Sequence, residues 1–307
     1  MKYVTLKQTS LKLSQIGLGC MRIANMTVDD VEKLISGALA QGINFFDHAD
    51  IYGGGQSEKV FGEALEKHPE WRSQMIIQTK CGIIPGKRYD FSKKHILQQV
   101  NQSLENLHTD YVDILLLHRP DMIYDPEELS DAIHTLYNEG KIKYFGVSNH
   151  NSYQIALLEK YLKDIPVLIN QLQFSIIHSG MIDVGMNVNM VEQWAIDKDS
   201  SILDYCRLND ILIQPWSPFQ ASWADGTFIN NPKYEKLNAV LEQLADKYHT
   251  NKNAIALAWI LKHPANMQPI LGTTSLVHLN ESLEALDFEI TKQEWYDLYL
   301  AEGKPLP

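Results

Sequence analysis

The chain has 307 residues, 45% of them hydrophobic, enough to bury a sizeable core. Its 38 acidic and 27 basic residues leave a net charge of −11, which sets aside nucleic acid and anionic membranes as default partners. No apolar run approaches about 18 residues, and the first residues lack the apolar stretch of a signal peptide, so a cytoplasmic location is expected. Cys20, Cys81 and Cys206 form an odd set without metal-ligand spacing and fit reduced thiols.

Residues 3–14 alternate around Gln8-Thr9-Ser10 and predict a β-hairpin. A rhythm of short apolar runs and amphipathic helices follows. Gln15–Gly19 is the first run, and Thr27 caps a helix carrying Val31, Leu34, Ile35 and Ala38, closed by Gly42. Ile43–Asp47 is the second run, with a helix from Ser57. Met75–Lys80 is the third, and Ser92 caps the next helix, with Ile96, Val100 and Leu104 inward. Tyr111–His118 is the fourth, and Pro126 opens a helix ending at Gly140. Lys143–Ser148 and Val167–Gln171 are the fifth and sixth, the fifth followed by a helix from Ser152. An irregular stretch, 175–199, precedes a helix through Ile202–Leu208. Ile211–Pro215 is the seventh run, with helices near 232–248 and 252–263. Met267–Leu271 is the eighth, followed by a helix over Ser275–Leu286 and a last one capped by Thr291 and Glu294.

Continuous apolar strands alternating with helices indicate a parallel sheet covered on both faces. Eight such units predict an α/β fold, a closed (β/α)₈ TIM barrel with an N-terminal β-hairpin and two extra helices. An open doubly wound sheet normally carries a three-glycine turn after its first strand, and Gly17-x-Gly19 lacks the third glycine. No linker or low-complexity segment interrupts the pattern, so one domain covering 1–307 is expected.

Barrel active sites lie at the C-terminal strand ends. There the runs end in Asp47, Lys80, His118, Ser148-Asn149, Asn170-Gln171 and Trp216-Ser217, with Tyr52 on the loop after the second strand. Taken singly, Asp47 fits a loop cap, Lys80 a solvated strand end, His118 a core histidine and Tyr52 a packing aromatic. A carboxylate, an ammonium and an imidazole at successive strand ends beside a phenol do not fit packing, because each is costly to bury unpaired. A phenol titrates near pH 10; a lysine beside it favours the phenolate and lowers that value. An aspartate holds the ammonium, and a histidine orients a carbonyl oxygen. Such a set protonates an oxygen on which negative charge develops, and it needs a hydride donor that no side chain supplies.

Nearly end to end, the chain resembles the aldo-keto reductases, closest in motif to the bacterial branch known only as predicted oxidoreductases. The resemblance rests on Phe46–Gly53, Thr79-Lys80, Ser103–Leu107 continuing to Asp110–Asp113 and His118, Gly146–Asn149, Asn170-Gln171 and Trp216–Phe219. It implies a barrel whose bottom is plugged by the hairpin and NADP(H)-dependent interconversion of a carbonyl and an alcohol. Tyr52 would be the general acid, Lys80 and Asp47 its tuning pair, and His118 the orienting donor. Ser148, Asn149 and Gln171 match the residues that hold the nicotinamide carboxamide, and Trp216 the aromatic stacked on the ring. Ser217, Pro218 and Phe219 lie on the pyrophosphate side. Gly272-Thr273-Thr274 begins the segment that holds the adenosine 2′-phosphate.

That last segment departs from the family pattern. Gly272 stands where lysine is frequent, His278 where arginine is frequent, and Ser282 where asparagine is frequent. Backbone amides near Thr274 still suit phosphate. The expected cofactor is NADP(H), with NAD(H) as the alternative. The expected partner is a small-molecule carbonyl substrate, with no metal, nucleic acid or membrane.

Family specificity lies in the loops after strands four and seven and in the tail. Candidate mouth residues are Met21, Ile83, Ile84, Ile176, Ile177, Met181, Met186, Met190, Trp194 and Trp223, which suit substrates with some apolar bulk. A tail ending at Pro307 suggests an open site. Two rivals differ in class. A barrel hydrolase or isomerase using His118 and Asp47 wants a metal cluster or a second histidine nearby; His48 is adjacent to Asp47, but no third ligand is placed. A redox-sensing or regulatory subunit binds cofactor with little turnover.

Overall fold

In the computed structural model the described residues are 1–188, 193–198, 200–222 and 224–304. Met190 and Trp223, and the side chain of Trp194, lie outside what is described.

Eight parallel strands close into a barrel in chain order: β1 Gly17–Gly19, β2 Phe45–Asp47, β3 Ile76–Cys81, β4 Val112–Leu117, β5 Ile142–Ser148, β6 Val167–Gln173, β7 Leu212–Trp216 and β8 Ile270–Leu271. The ring shuts where β8 meets β1, with Ile270 opposite Gly17 and Leu271 opposite Leu18. Helices follow the strands: α1 Val28–Ala40, α2 Gln56–Lys67, α3 Lys93–Asn106, α4 Pro126–Asn138, α5 Ser152–Leu162, α6 Gly180–Met186, α7 Ile202–Leu208, α8 Glu235–Tyr248, α9 Lys252–Leu261, α10 Leu276–Leu283 and α11 Lys292–Ala301. The paired helices before β8 and the terminal α11 account for the two additional helices expected. The stretch 175–199, read as irregular, also holds the short α6, fixed by buried Ile182 and by Asp183, whose carboxylate accepts from Ser179 (2.8 Å) and Tyr299 (2.9 Å).

Side-chain alternation along each strand sorts the core into two bodies. Phe46, Ile77, Leu115, Leu117 and Val147 point outward and pack with the helices. Phe45, Ile76, Ile114, Leu116 and Leu168 point inward and meet Val4, Leu6 and Leu13 of the hairpin, whose strands are Tyr3–Thr5 and Lys12–Ser14. The hairpin therefore closes the floor of the barrel with apolar side chains. Predicted caps recur: Thr27, Ser92 and Thr291 each accept a hydrogen bond from the amide three residues on, and Thr291 with Glu294 completes a capping box.

Candidate active site

The tip of β2 delivers Asp47 into the barrel mouth. Beyond it the chain turns through Ala49–Ile51, and Tyr52 begins a short 3₁₀ turn with Gly53, Gly54 and Gly55, all at positive φ (59°, 66° and 91°). A Cβ on Gly53 would lie 2.4 Å from that of Ala24, so Gly53 is required by backbone geometry and by space, and the other two by backbone geometry. The turn faces Tyr52 toward β3, where Lys80 is fully buried. Lys80 Nζ donates to Asp47 Oδ2 (2.8 Å), to the His48 carbonyl (2.8 Å) and to the Tyr52 phenolic oxygen (3.1 Å). His118 follows β4, its amide held by the Cys81 carbonyl (2.9 Å), and its ring meets Tyr52 edge-on with centroids 6.0 Å apart.

Burial works against the charge of Lys80, but Asp47 and Tyr52 outweigh it and raise its pKa, so it stays an ammonium. Burial also pushes the Tyr52 phenol up, opposed by Lys80 and aided by Asp47. The sequence argument expected the lysine to lower that pKa; here desolvation wins, and Tyr52 remains a protonated donor. His118 is held well below the usual imidazole range by burial and by the charges of Lys80 and Arg119, so it is neutral. Its buried Nδ1 has no hydrogen-bond partner among the described residues. Four groups therefore meet at the mouth: an acid that keeps its proton, a fixed cation, its counter-ion and a neutral imidazole.

Beneath Asp47 lies a feature absent from the sequence reading. Gln78 Nε2 donates to Asp47 Oδ1 (2.7 Å) and to Gln214 Oε1 (2.9 Å), and Gln171 Nε2 reaches the same two oxygens at 3.1 and 3.2 Å. Gln214 in turn donates to Gln268 Oε1 (2.9 Å), and Gln268 to the Ser14 carbonyl (2.7 Å). All four glutamines are buried. Three of them sat inside what read as apolar runs; a polar residue at an inward position of a barrel strand was the available signal.

The expected cofactor residues fall into two groups. Ser148, Asn149 and Gln171 come together at the tips of β5 and β6. Ser148 Oγ donates to the Gln171 carbonyl (2.9 Å), and Asn149 Nδ2 donates to Ser148 Oγ (2.7 Å). Trp216 joins them from β7, its indole donating to Asn149 Oδ1 (3.2 Å). Asn149 and Ser217 both adopt left-handed backbone (φ 58° and 51°), uncommon for serine, where the chain turns out of β5 and β7. Ser217 Oγ donates to Gln220, Pro218 is buried and Phe219 packs on the core.

The second group, Gly272-Thr273-Thr274, lies just past β8. Thr273 Oγ1 and Ser275 Oγ take the amides of Ser275 (3.1 Å) and His278 (3.4 Å), so two amides at the start of α10 are already engaged. His278 is exposed, whereas Ser282 is buried with its hydroxyl bonded to the His278 carbonyl (2.8 Å) and does not face this surface. The residue the sequence argument missed is Arg22. It follows β1, and because β1 is the neighbour of β8, its guanidinium donates to the Gly272 carbonyl (2.7 Å). A basic residue just after the first strand of a closed barrel necessarily lies near the loop after the last, and that was the overlooked signal.

A cavity of about 880 Å³ opens over the ends of β4–β7, lined by Arg119, Asn149 and Trp216 inside and by Ile177 and Met181 toward the rim. None of the side chains of Asp47, Tyr52, Lys80 or His118 lines it, so it is an outer chamber that abuts them through Arg119 and Asn149. Glu302 and Lys304 from the tail also line it. Lys304 is buried and donates to the Ile176 carbonyl (3.0 Å) and to Ser179 Oγ, so the short tail does wall the chamber. Ile176 is core instead, and Met21 is exposed. The loop after β3 folds Ile83–Ile84 back on Arg88–Tyr89 as a small hairpin.

Residues 15–299 match the model of the Aldo/keto reductase family. The chain belongs to the aldo/keto reductase family. It is 34% identical over 313 residues to the uncharacterized oxidoreductase YcsN of Bacillus subtilis (strain 168), covering 97% of both chains. It is 33% identical over 309 residues to a 6-dehydroglucose reductase of Agrobacterium fabrum, covering 96% of each, and 31% identical over 305 residues to oxidoreductase YdhF of Escherichia coli (strain K12), covering 95% of each. Its fold superposes on the thermostable aldo-keto reductase Tm1743, solved with the inhibitor epalrestat, with a TM-score of 0.78 at 24% identity, over 98% of this chain and 100% of that one. The chain is thus an oxidoreductase of a family that works on carbonyl compounds with nicotinamide cofactors.

Proposed function

We propose that this aldo/keto reductase, a single barrel domain over residues 1–307, reduces an aldehyde or ketone to an alcohol with NADP(H), the proton coming from Tyr52. The observation that carries the reading is the buried Lys80 ammonium, 2.8 Å from Asp47 and 3.1 Å from the Tyr52 oxygen.

The residues at the mouth suit the cofactor by their donor chemistry. Ser148, Asn149 and Gln171 present the amide and hydroxyl groups that complement a carboxamide, and Trp216 offers an aromatic face beside them. When bound, the reduced nicotinamide supplies the hydride. Tyr52 gives its proton to the carbonyl oxygen as negative charge develops there. Lys80, kept charged by Asp47, stabilises the phenolate that remains. Neutral His118 donates to the same oxygen and fixes the carbonyl. Arg22, at the Gly272 carbonyl, supplies a positive charge beside the segment that lacks the frequent lysine and arginine, and it favours the 2′-phosphorylated cofactor.

The test is NADPH oxidation with 4-nitrobenzaldehyde, methylglyoxal and 9,10-phenanthrenequinone, for the native chain and Tyr52→Phe. Turnover that falls by at least a hundredfold in the variant is expected. Equal rates in the two proteins, or tight cofactor binding without turnover of any carbonyl, overturn the reading.

A further inference from the structure

Beyond its charge on His118, Arg119 has no assigned role in the chemistry above. It directly follows His118, is half-buried, and lines the inner edge of the 880 Å³ chamber. Its guanidinium lies 5.9 Å from the Trp216 ring centroid, and no described residue offers it a carboxylate or a hydrogen-bond acceptor. In a chain of net charge −11, a half-buried arginine at the end of a barrel strand with no carboxylate partner among the described residues is conspicuous, because the Trp216 face offsets only part of its desolvation.

The charges around it point the same way. The chamber is lined by Arg119, Lys198 and Lys304 among the cations and by Asp183 and Glu302 among the carboxylates. Both carboxylates are engaged by Lys304 and not by Arg119. Glu302 lies 3.3 Å and Asp183 3.8 Å from Lys304 Nζ, and Asp183 also accepts from Ser179 and Tyr299. Of the two chamber histidines, buried His150 is a neutral ring, lowered by burial to about 4, and His178 is exposed. Among the described lining residues three cations face two carboxylates, and both carboxylates approach Lys304, which leaves Arg119 and Lys198 without a carboxylate of that lining.

We propose that Arg119 anchors a carboxylate on the substrate, so that this reductase acts on carbonyl compounds bearing an acid group within the outer chamber. The proposal rests on the reductase reading above. A guanidinium presents two parallel N–H donors to a carboxylate, a geometry that selects this planar anion over a neutral polar group. Arg119 is one residue from His118, so the anchored acid and the oriented carbonyl belong to one short molecule. The apolar rim of Ile177 and Met181 suits an intervening hydrocarbon or aromatic spacer.

The experiment compares 4-carboxybenzaldehyde with 4-carbamoylbenzaldehyde, its neutral counterpart of the same shape, at saturating NADPH. Wild type, Arg119→Gln and Arg119→Lys are measured. Because Arg119 also bears on His118 electrostatically, the readout is the ratio of kcat/KM for the two substrates, in which a common effect on the chemical step cancels. The wild type is expected to favour the carboxylate at least tenfold, through KM. Arg119→Gln should lose that preference, and Arg119→Lys should keep part of it. In parallel, 4-(hydroxymethyl)benzoate is titrated by tryptophan fluorescence in the presence of NADP⁺. Turnover of both aldehydes with no preference, or a preference that survives Arg119→Gln, overturns the anchor and leaves the reductase reading standing. Absence of turnover, with benzoate binding that weakens at least tenfold in Arg119→Gln, sustains the anchor and overturns the reductase reading. Neither turnover nor Arg119-dependent binding overturns both.

Discussion

The Lys80 ammonium stands 3.1 Å from the Tyr52 phenolic oxygen and reaches it from inside the barrel, with no exposed surface of its own. A charge so placed is poorly screened, and it acts on the phenolate that remains after proton transfer more strongly than on the phenol before it. Lys80→Met is therefore expected to lower kcat by about 10²–10⁴-fold. It also leaves Asp47 buried without its counter-ion, at a cost of about 3–5 kcal/mol. The double variant Asp47→Asn/Lys80→Met should regain much of that stability and none of the activity. Urea unfolding and steady-state rates on the three proteins check this; a single variant as stable as the native chain would contradict the buried pair.

With Tyr52 as the proposed acid, its raised pKa and the depressed pKa of His118 predict a pH dependence. Tyr52 keeps its proton through neutral and mildly alkaline pH, so kcat/KM for reduction should be flat from about pH 6 to about pH 9 and decline only above. Alcohol oxidation uses the phenolate and should rise with pH across the same range. His118 is neutral throughout, so neither profile should bend near the ordinary imidazole value. An inflection near pH 6.5 that vanishes in His118→Ala would refute the neutral assignment.

Asp50 lies behind the site with both carboxylate oxygens buried and without a hydrogen-bond partner among the described residues. Burial and the neighbouring Glu58 push it up from 3.8 to about 8. Glu58 is itself raised by burial, although it accepts from Thr79 (2.6 Å) and Asn106 (3.4 Å). An acid whose folded pKa exceeds its unfolded one supports the fold fully below the unfolded value, and that support is lost as pH rises through the folded value. Stability should therefore fall between about pH 4 and about pH 8. Asp50→Asn should remove part of this slope and be more stable than the native chain at pH 8 by on the order of 1–2 kcal/mol. Denaturant midpoints at pH 5 and pH 8 decide it, and parallel slopes in the two proteins count against the buried acid.

Gly62 in α2 rests against the end of α3: a Cβ there would stand 2.1 Å from the Asn106 carbonyl oxygen and 2.8 Å from the Leu107 carbonyl carbon. These are backbone atoms and cannot swing aside. Gly→Ala normally favours a helix by about 1 kcal/mol. Here the overlap should reverse the sign, with Gly62→Ala lowering stability by about 1–3 kcal/mol. An unchanged urea midpoint would show that the two helices separate without cost.

The proposed 2′-phosphate contact of Arg22 makes a prediction about cofactor choice. Arg22→Ala should weaken NADPH binding about tenfold, and NADH binding much less, because only the former carries the extra phosphate. Fluorescence quenching titrations with each cofactor measure the two constants. Equal losses would place Arg22 on a part common to both.

Much of the barrel was legible from residue order. The alternation of apolar runs and capped helices placed every barrel strand, though not the small hairpin at 83–89, and Asp47, Tyr52, Lys80 and His118 converge as strand-end positions require. Less legible were features that depend on which strands become neighbours across the ring. Arg22 and Gly272 are 250 residues apart, and only the β8–β1 seam unites them. Gln78, Gln214 and Gln268 read as interruptions of apolar runs, because their value appears only when all face the same axis. The phenol pKa eluded sequence reasoning for a different reason. Residue types identify the lysine that lowers it, but burial, which raises it, is a property of the whole fold.

The glutamine column has a consequence for how the enzyme tolerates change. From Asp47 an unbroken line of amide hydrogen bonds descends through Gln78, Gln214 and Gln268 to the Ser14 backbone in the floor hairpin. Opposite ends of the barrel are thereby joined by one hydrogen-bonded line, whose upper end is the carboxylate that holds Lys80. A substitution at the base that displaces Gln268 therefore leaves a buried amide of this line without its partner, a cost that falls on the floor and on the support of Asp47 alike.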